Sequence, residues 1–67
     1  MITIEFNGEA SEVDASSTIA DLLRMAKVES RFCAVELNLE IVPKDQYAVK
    51  SLIDGDKIEV VTLVGGG

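Results

Sequence analysis

Histidine and tryptophan are absent from the 67 residues, and cysteine and proline occur once each. Without histidine no Ser-His or Cys-His pair exists, so the usual activated nucleophiles are excluded. The lone cysteine, Cys33, can form neither an internal disulfide nor a zinc cluster. Basic side chains are also scarce, 6 against 12 acidic, for a net charge of −6. Such a surface repels nucleic acid and anionic membranes and favours a partner with a basic docking surface. Met1–Phe6 has no basic start and carries an early Glu5, so it does not read as a signal peptide. The longest apolar stretch, Val60 to Val64, is broken by Thr62 and falls far short of a membrane span. The expected setting is reduced and cytoplasmic.

What is present argues for a fold. Hydrophobic residues make up 48% of the chain, too many for a disordered acidic tail. A domain this short buries about 60% of the surface its unfolded chain exposes, so the core is thin. There is no internal repeat, low-complexity segment or linker. The division expected is a packed domain over 1–64 and a glycine tail over 65–67.

Ile2, Ile4 and Phe6 alternate with Thr3 and Glu5, the period of a half-buried strand. Asn7-Gly8 suits a two-residue hairpin turn, and residues 9–13 return as a second strand. That turn sets Ile4 opposite Ser11 and Ile2 opposite Val13. Thr18 and Asp21 form a capping box, followed by Ile19, Leu22, Leu23 and Ala26 at helical spacing. Arg24 and Lys27 favour the carboxyl end of that helix.

Residues 32–38 read as a third strand and 40–42 as a fourth, stopped by Pro43, which implies a sheet edge. One helical turn is expected around Asp45 to Ala48, and a tight turn at Asp54-Gly55-Asp56. Lys57 to Val64 forms the last strand, with Ile58 and Val60 inward and Glu59, Val61 and Leu63 outward. The fold class is α+β, one main helix packed on one face of a mixed sheet of four to five strands.

Gly65-Gly66-Gly67 follows directly on this apolar strand. Three glycines offer no side chain to pack, which suits either a frayed end or a slim arm threaded into a partner's narrow site. The hairpin, the capped helix and the terminal glycines together resemble the ubiquitin-like β-grasp family of sulfur carriers and modifiers. Within it, Val35-Glu36-Leu37-Asn38, Ile41-Val42-Pro43-Lys44, Tyr47, Asp54-Gly55-Asp56-Lys57-Ile58 and Val64-Gly65-Gly66-Gly67 are similar to the ThiS carriers of thiamin thiazole synthesis. Molybdopterin carriers of the MoaD kind share the Asp-Gly-Asp turn and the diglycine. They tend to be longer, with prolines where this chain has Thr62-Leu63-Val64.

The resemblance implies a carrier rather than an enzyme, with no permanently bound cofactor. A ThiF-like activating enzyme would join the Gly67 carboxylate to AMP with ATP. Persulfide sulfur from a cysteine desulfurase relay would then leave a thiocarboxylate on Gly67, for delivery to a ThiG-like thiazole synthase. Gly65 and Gly66 would let the arm enter both partner sites. Gly65 stands where relatives often carry another small residue.

Other residues have simpler readings. Cys33 has no basic neighbour in its predicted strand and reads as a small core hydrophobe. Asp54 and Asp56 lack the remaining spacing of a calcium loop and read as turn formers. Val61 and Leu63, apolar and outward beside the tail, read as a partner interface. The competing functions are a MoaD-like carrier, a ubiquitin-like modifier joined through Gly67 to lysines, and a binding module whose tail is incidental.

Overall fold

The apolar alternation of Ile2, Ile4 and Phe6 builds β1 (Ile2–Phe6), and β2 (Glu9–Val13) returns antiparallel to it. Asn7 and Gly8 turn the chain with positive φ of 48° and 86°, as a mirror-image two-residue turn requires. The register is the expected one, Ile4 opposite Ser11 and Ile2 opposite Val13. The structure, a computed structural model, describes residues 1–63.

The helix α1 (Ile19–Met25) opens with the expected box. The Thr18 hydroxyl accepts from Asp21 N–H at 3.2 Å, and the Asp21 carboxylate accepts from Thr18 N–H at 3.0 Å. Its first N–H groups are otherwise satisfied by the distant connection before the last strand. Ile19 N–H donates to the Lys50 carbonyl and Ala20 N–H to that of Tyr47. The helix stops where Lys27 takes a φ of 61°, with Val28 N–H returning to Leu23 O and Lys27 N–H to Arg24 O.

A 3-10 turn (Ser30–Phe32) leads into β3 (Cys33–Leu37), which pairs antiparallel with β4 (Glu40–Val42). The third strand is thus shorter than the 32–38 expected. Phe32 closes the 3-10 turn, and Asn38 leaves the extended region with a φ of 51°. Pro43 ends β4 at the sheet edge, as expected. The helical turn falls at Lys44–Gln46 rather than around Asp45 to Ala48. Pro43, with φ fixed near −63°, starts it at once.

The last strand, β5 (Lys57–Thr62), stops before Leu63, which was expected within it, and Val64, its expected end, lies outside the described residues. It enters the middle of the sheet, giving the order β2-β1-β5-β3-β4. There it runs parallel to β1 and antiparallel to β3. Asn7 ties the parallel seam together. Its N–H donates to Ile58 O at 2.9 Å, and its side-chain oxygen accepts from Val60 N–H at 2.7 Å.

One face of the sheet meets the helix. Ile4, Val13, Cys33, Val35, Leu37, Val42 and Ile58 from the strands pack with Ile19, Leu22 and Leu23, while Tyr47 and Leu52 close the core from the connection before β5. Each large member contributes about 1.5–3 kcal/mol by leaving water, before chain entropy is subtracted. Among the described residues the opposite face carries no helix.

Candidate functional site

β5 carries the chain from the centre of the sheet toward its glycine end. Leu63, the last described residue, donates its N–H to the Phe32 carbonyl, so the strand's exit is anchored beside the 3-10 turn. Gly65, Gly66 and Gly67, the residues expected to carry the chemistry, lie outside the described residues, as does Val64.

Alternation along β5 buries Ile58, half-buries Val60 and exposes Glu59 and Val61, as expected. Val61 is 59% exposed and Leu63, just past the strand, 55%. The structure extends the patch beyond these two. Val61 pairs with Ala34 on β3, and the next pair on the same face is Glu59 with Glu36. Glu36 pairs in turn with Ile41, exposed on the edge strand β4. Phe32 is also half-exposed, its ring 4.8 Å beneath the Arg31 guanidinium. These neighbours were missed in the sequence, although the inward alternation of Cys33, Val35 and Leu37 leaves Ala34 and Glu36 for the outer face.

The remaining polar candidates are structural. The Asp54 carboxylate accepts from Thr3 N–H at 2.9 Å. Asp56 is buried, accepting from Ile53 N–H at 2.9 Å and from the Asn38 side chain at 3.0 Å. Both carboxylates hold turns, as expected. Cys33 is wholly buried and its thiol donates to the Ser30 carbonyl at 3.6 Å, so it reads as core. It lies beside Tyr47, whose hydroxyl pKa is raised above the ordinary 10.0, first by burial and then by that neighbour. A shallow groove of about 290 Å³ lies beside β4, with Leu37, Ile41 and Pro43 in its walls and Glu40 and Lys50 as its charged residues, and these two form no ion pair among the described residues. Among the described residues no group of acidic or cysteine side chains is placed to hold a metal ion. No helix is long and apolar enough to cross a membrane, again among the described residues.

Among the described residues, one α-helix laid on a mixed sheet ordered β2-β1-β5-β3-β4, with the last strand at its centre, defines a β-grasp domain. The crystal structure of the thiamine biosynthesis protein ThiS from Geobacter metallireducens has this fold. It superposes with a TM-score of 0.83 at 32% identity, covering 98% of this chain and 100% of that one. The model of the ThiS family matches residues 4–67. The sulfur carrier protein ThiS of Bacillus subtilis is 44% identical over 52 residues, 78% of this chain and 79% of its own. A thiazole synthase of Paramagnetospirillum magneticum is 52% identical over 61 residues, 91% of this chain, and the chain spans 19% of that protein's length. The chain belongs to the ThiS family.

Proposed function

We propose that this chain is a sulfur carrier of thiamin thiazole biosynthesis, and that it works through the carboxylate of Gly67. The observation that carries the reading is the family match, which runs through Gly67 on a chain whose central strand leads toward that residue. The residues from Val64 to Gly67, fully extended, reach at most about 14 Å, enough to enter a partner's narrow site.

A carboxylate resists nucleophiles because its charge is delocalised and its leaving group is oxide. An activating enzyme would therefore let a Gly67 carboxylate oxygen attack the α-phosphorus of ATP, releasing pyrophosphate. The terminal sulfur of a persulfide then attacks the acyl carbon and AMP departs. A thiolate of the donor takes the second sulfur of the resulting S–S bond as a disulfide. The electron pair of that bond stays on the sulfur bound to Gly67, now a thiocarboxylate. This soft, charged nucleophile would be handed to a thiazole synthase.

The carrier itself supplies position, and proton transfers belong to its partners. Val61 and Leu63, beside the exit of β5, would seat the domain on a partner while the glycine arm reaches inward. The test is incubation with a purified activating enzyme, ATP and a persulfide donor, followed by intact-mass measurement. The reading requires the exchange of one oxygen for one sulfur at Gly67.

A further inference from the structure

Glu36 and Glu59 stand directly opposite one another on β3 and β5, in the helix-free face of the sheet. Asn38 N–H donates to Lys57 O, and Leu63 N–H donates to Phe32 O at the other end. By the alternation of an antiparallel ladder, positions 36 and 59 then exchange backbone hydrogen bonds. Their side chains rise side by side, about 5 Å apart at Cβ. Like charges so placed destabilise a sheet. Ion pairs among the described residues join Arg24 to Asp21 and Arg31 to Glu29, and neither of these glutamates takes part in one. The other charges nearest them on this face are Lys57, two residues back along β5, and Glu5, which pairs with Lys57 across the parallel seam.

The surroundings make the pair more conspicuous. Ile41 flanks Glu36 on one side, and the Ala34–Val61 pair lies next along the strands. Two carboxylates without an ion-pair partner thus sit beside exposed Ile41 and Val61 and half-buried Ala34, with Lys57 as the one cation near them among the described residues. Nothing in the free domain gains from that arrangement, whereas a cation brought by a partner would turn the repulsion into attraction.

We infer that the centre of the outer face receives one lysine or arginine side chain of a thiazole synthase. Its aliphatic stem lies over the Ala34–Val61 pair, and its charge lies between the Glu36 and Glu59 carboxylates. The inference rests on the carrier function proposed above. Charge complementarity selects a basic protein surface. The thiazole synthase relative that contains a segment 52% identical to this chain indicates which partner has reason to keep such a domain close. A second copy of this chain is the poorer occupant, because it would bring the same acidic face and a further −6.

The test uses a thiazole synthase purified from the same organism. Its binding to the parent chain, to Glu36→Gln, to Glu59→Gln and to the double variant is followed by calorimetry at low and high salt. Urea unfolding is run on each free domain. The double variant is expected to raise the Kd by about tenfold or more and to flatten its salt dependence. The same substitutions raise the unfolding midpoint of the free domain by removing the repulsion. Glu12→Gln, on the outer face of β2, leaves the Kd unchanged. Equal affinity for parent and double variant overturns the proposal, as does a double variant less stable than the parent, which would make the glutamates structural. Thiocarboxylate loading, read by mass on the same preparations, separates the two levels. A parent chain that neither loads nor binds brings down the carrier function and this proposal together. A parent that loads and binds, with variants that bind equally well, brings down the cation receptor alone.

Discussion

The Asn38 side-chain amide donates to the buried Asp56 carboxylate at 3.0 Å, joining the turn between β3 and β4 to the turn that starts β5. The same asparagine accepts from Lys57 N–H at 2.9 Å through its side-chain oxygen. Asp56 in turn accepts from Ile53 N–H. Together these bonds set where the last strand enters the sheet, and so which of its residues face outward.

Asp56→Ala removes an ionised acceptor and leaves the Asn38 amide and the Ile53 N–H without their partner. Hydrogen bonds to a charged group contribute about 1.5–3 kcal/mol each, so a loss of about 3 kcal/mol is expected. Urea unfolding measures it, and a loss below about 1 kcal/mol would contradict the role given to Asp56.

The turn Asn38-Leu39 uses the same left-handed backbone as Asn7-Gly8, but with leucine at a φ of 72°. Leu39 is also 87% exposed, so its side chain contributes little by burial. Leu39→Gly relieves the crowding of Cβ in this region and should stabilise the domain by about 1 kcal/mol. A thermal or urea midpoint that falls on substitution would show that the leucine is held by contacts the free domain does make.

Asp21 lies in the first turn of α1, where Thr18 N–H and then the Arg24 guanidinium hold its pKa below the ordinary 3.8. A lowered carboxylate pKa contributes stability above the unfolded value and loses it as pH falls through the folded one. Asp21→Asn should therefore be less stable than the parent at neutral pH. The difference should shrink below pH 3.8 and vanish once Asp21 of the parent is protonated in both the folded and the unfolded state. Unfolding curves from neutral to strongly acidic pH check this, and a gap that persists unchanged in acid would contradict it.

Cys33, at 0% exposure, should resist thiol reagents in the native state and react once urea unfolds the chain. Cys33→Ala should cost about 1–2 kcal/mol for the lost sulfur volume while sulfur loading at Gly67 continues. Loss of loading in a folded Cys33→Ala domain would move the cysteine from the core into the chemistry.

Much of the architecture was legible because local chemistry encodes it. Asn7-Gly8 sets the first hairpin's register, Thr18 and Asp21 set the helix start, and Pro43 places β4 at an edge. The insertion of β5 between β1 and β3 was less legible. It depends on contacts across more than fifty residues, such as Asn7 with Val60, which no sequence window contains. For the same reason Val61 and Leu63 could be read as outward, while their neighbours could not. Ala34, Ile41 and the Glu36–Glu59 pair join them only once the strand order is known. Phe32 suits a strand by type, yet the 3-10 turn takes it, and Asn38, a residue that tolerates positive φ, leaves the strand at its far end.

The central claim is that sulfur travels on Gly67. Intact-mass spectrometry of the chain, after incubation with an activating enzyme, ATP and a persulfide donor, tests it most directly. The account predicts a species heavier by the difference between one sulfur and one oxygen. Fragmentation should place the change on Gly67, and the species should be missing when Gly67 is deleted from an otherwise folded domain. An unchanged mass, or sulfur found on Cys33 instead, would contradict it.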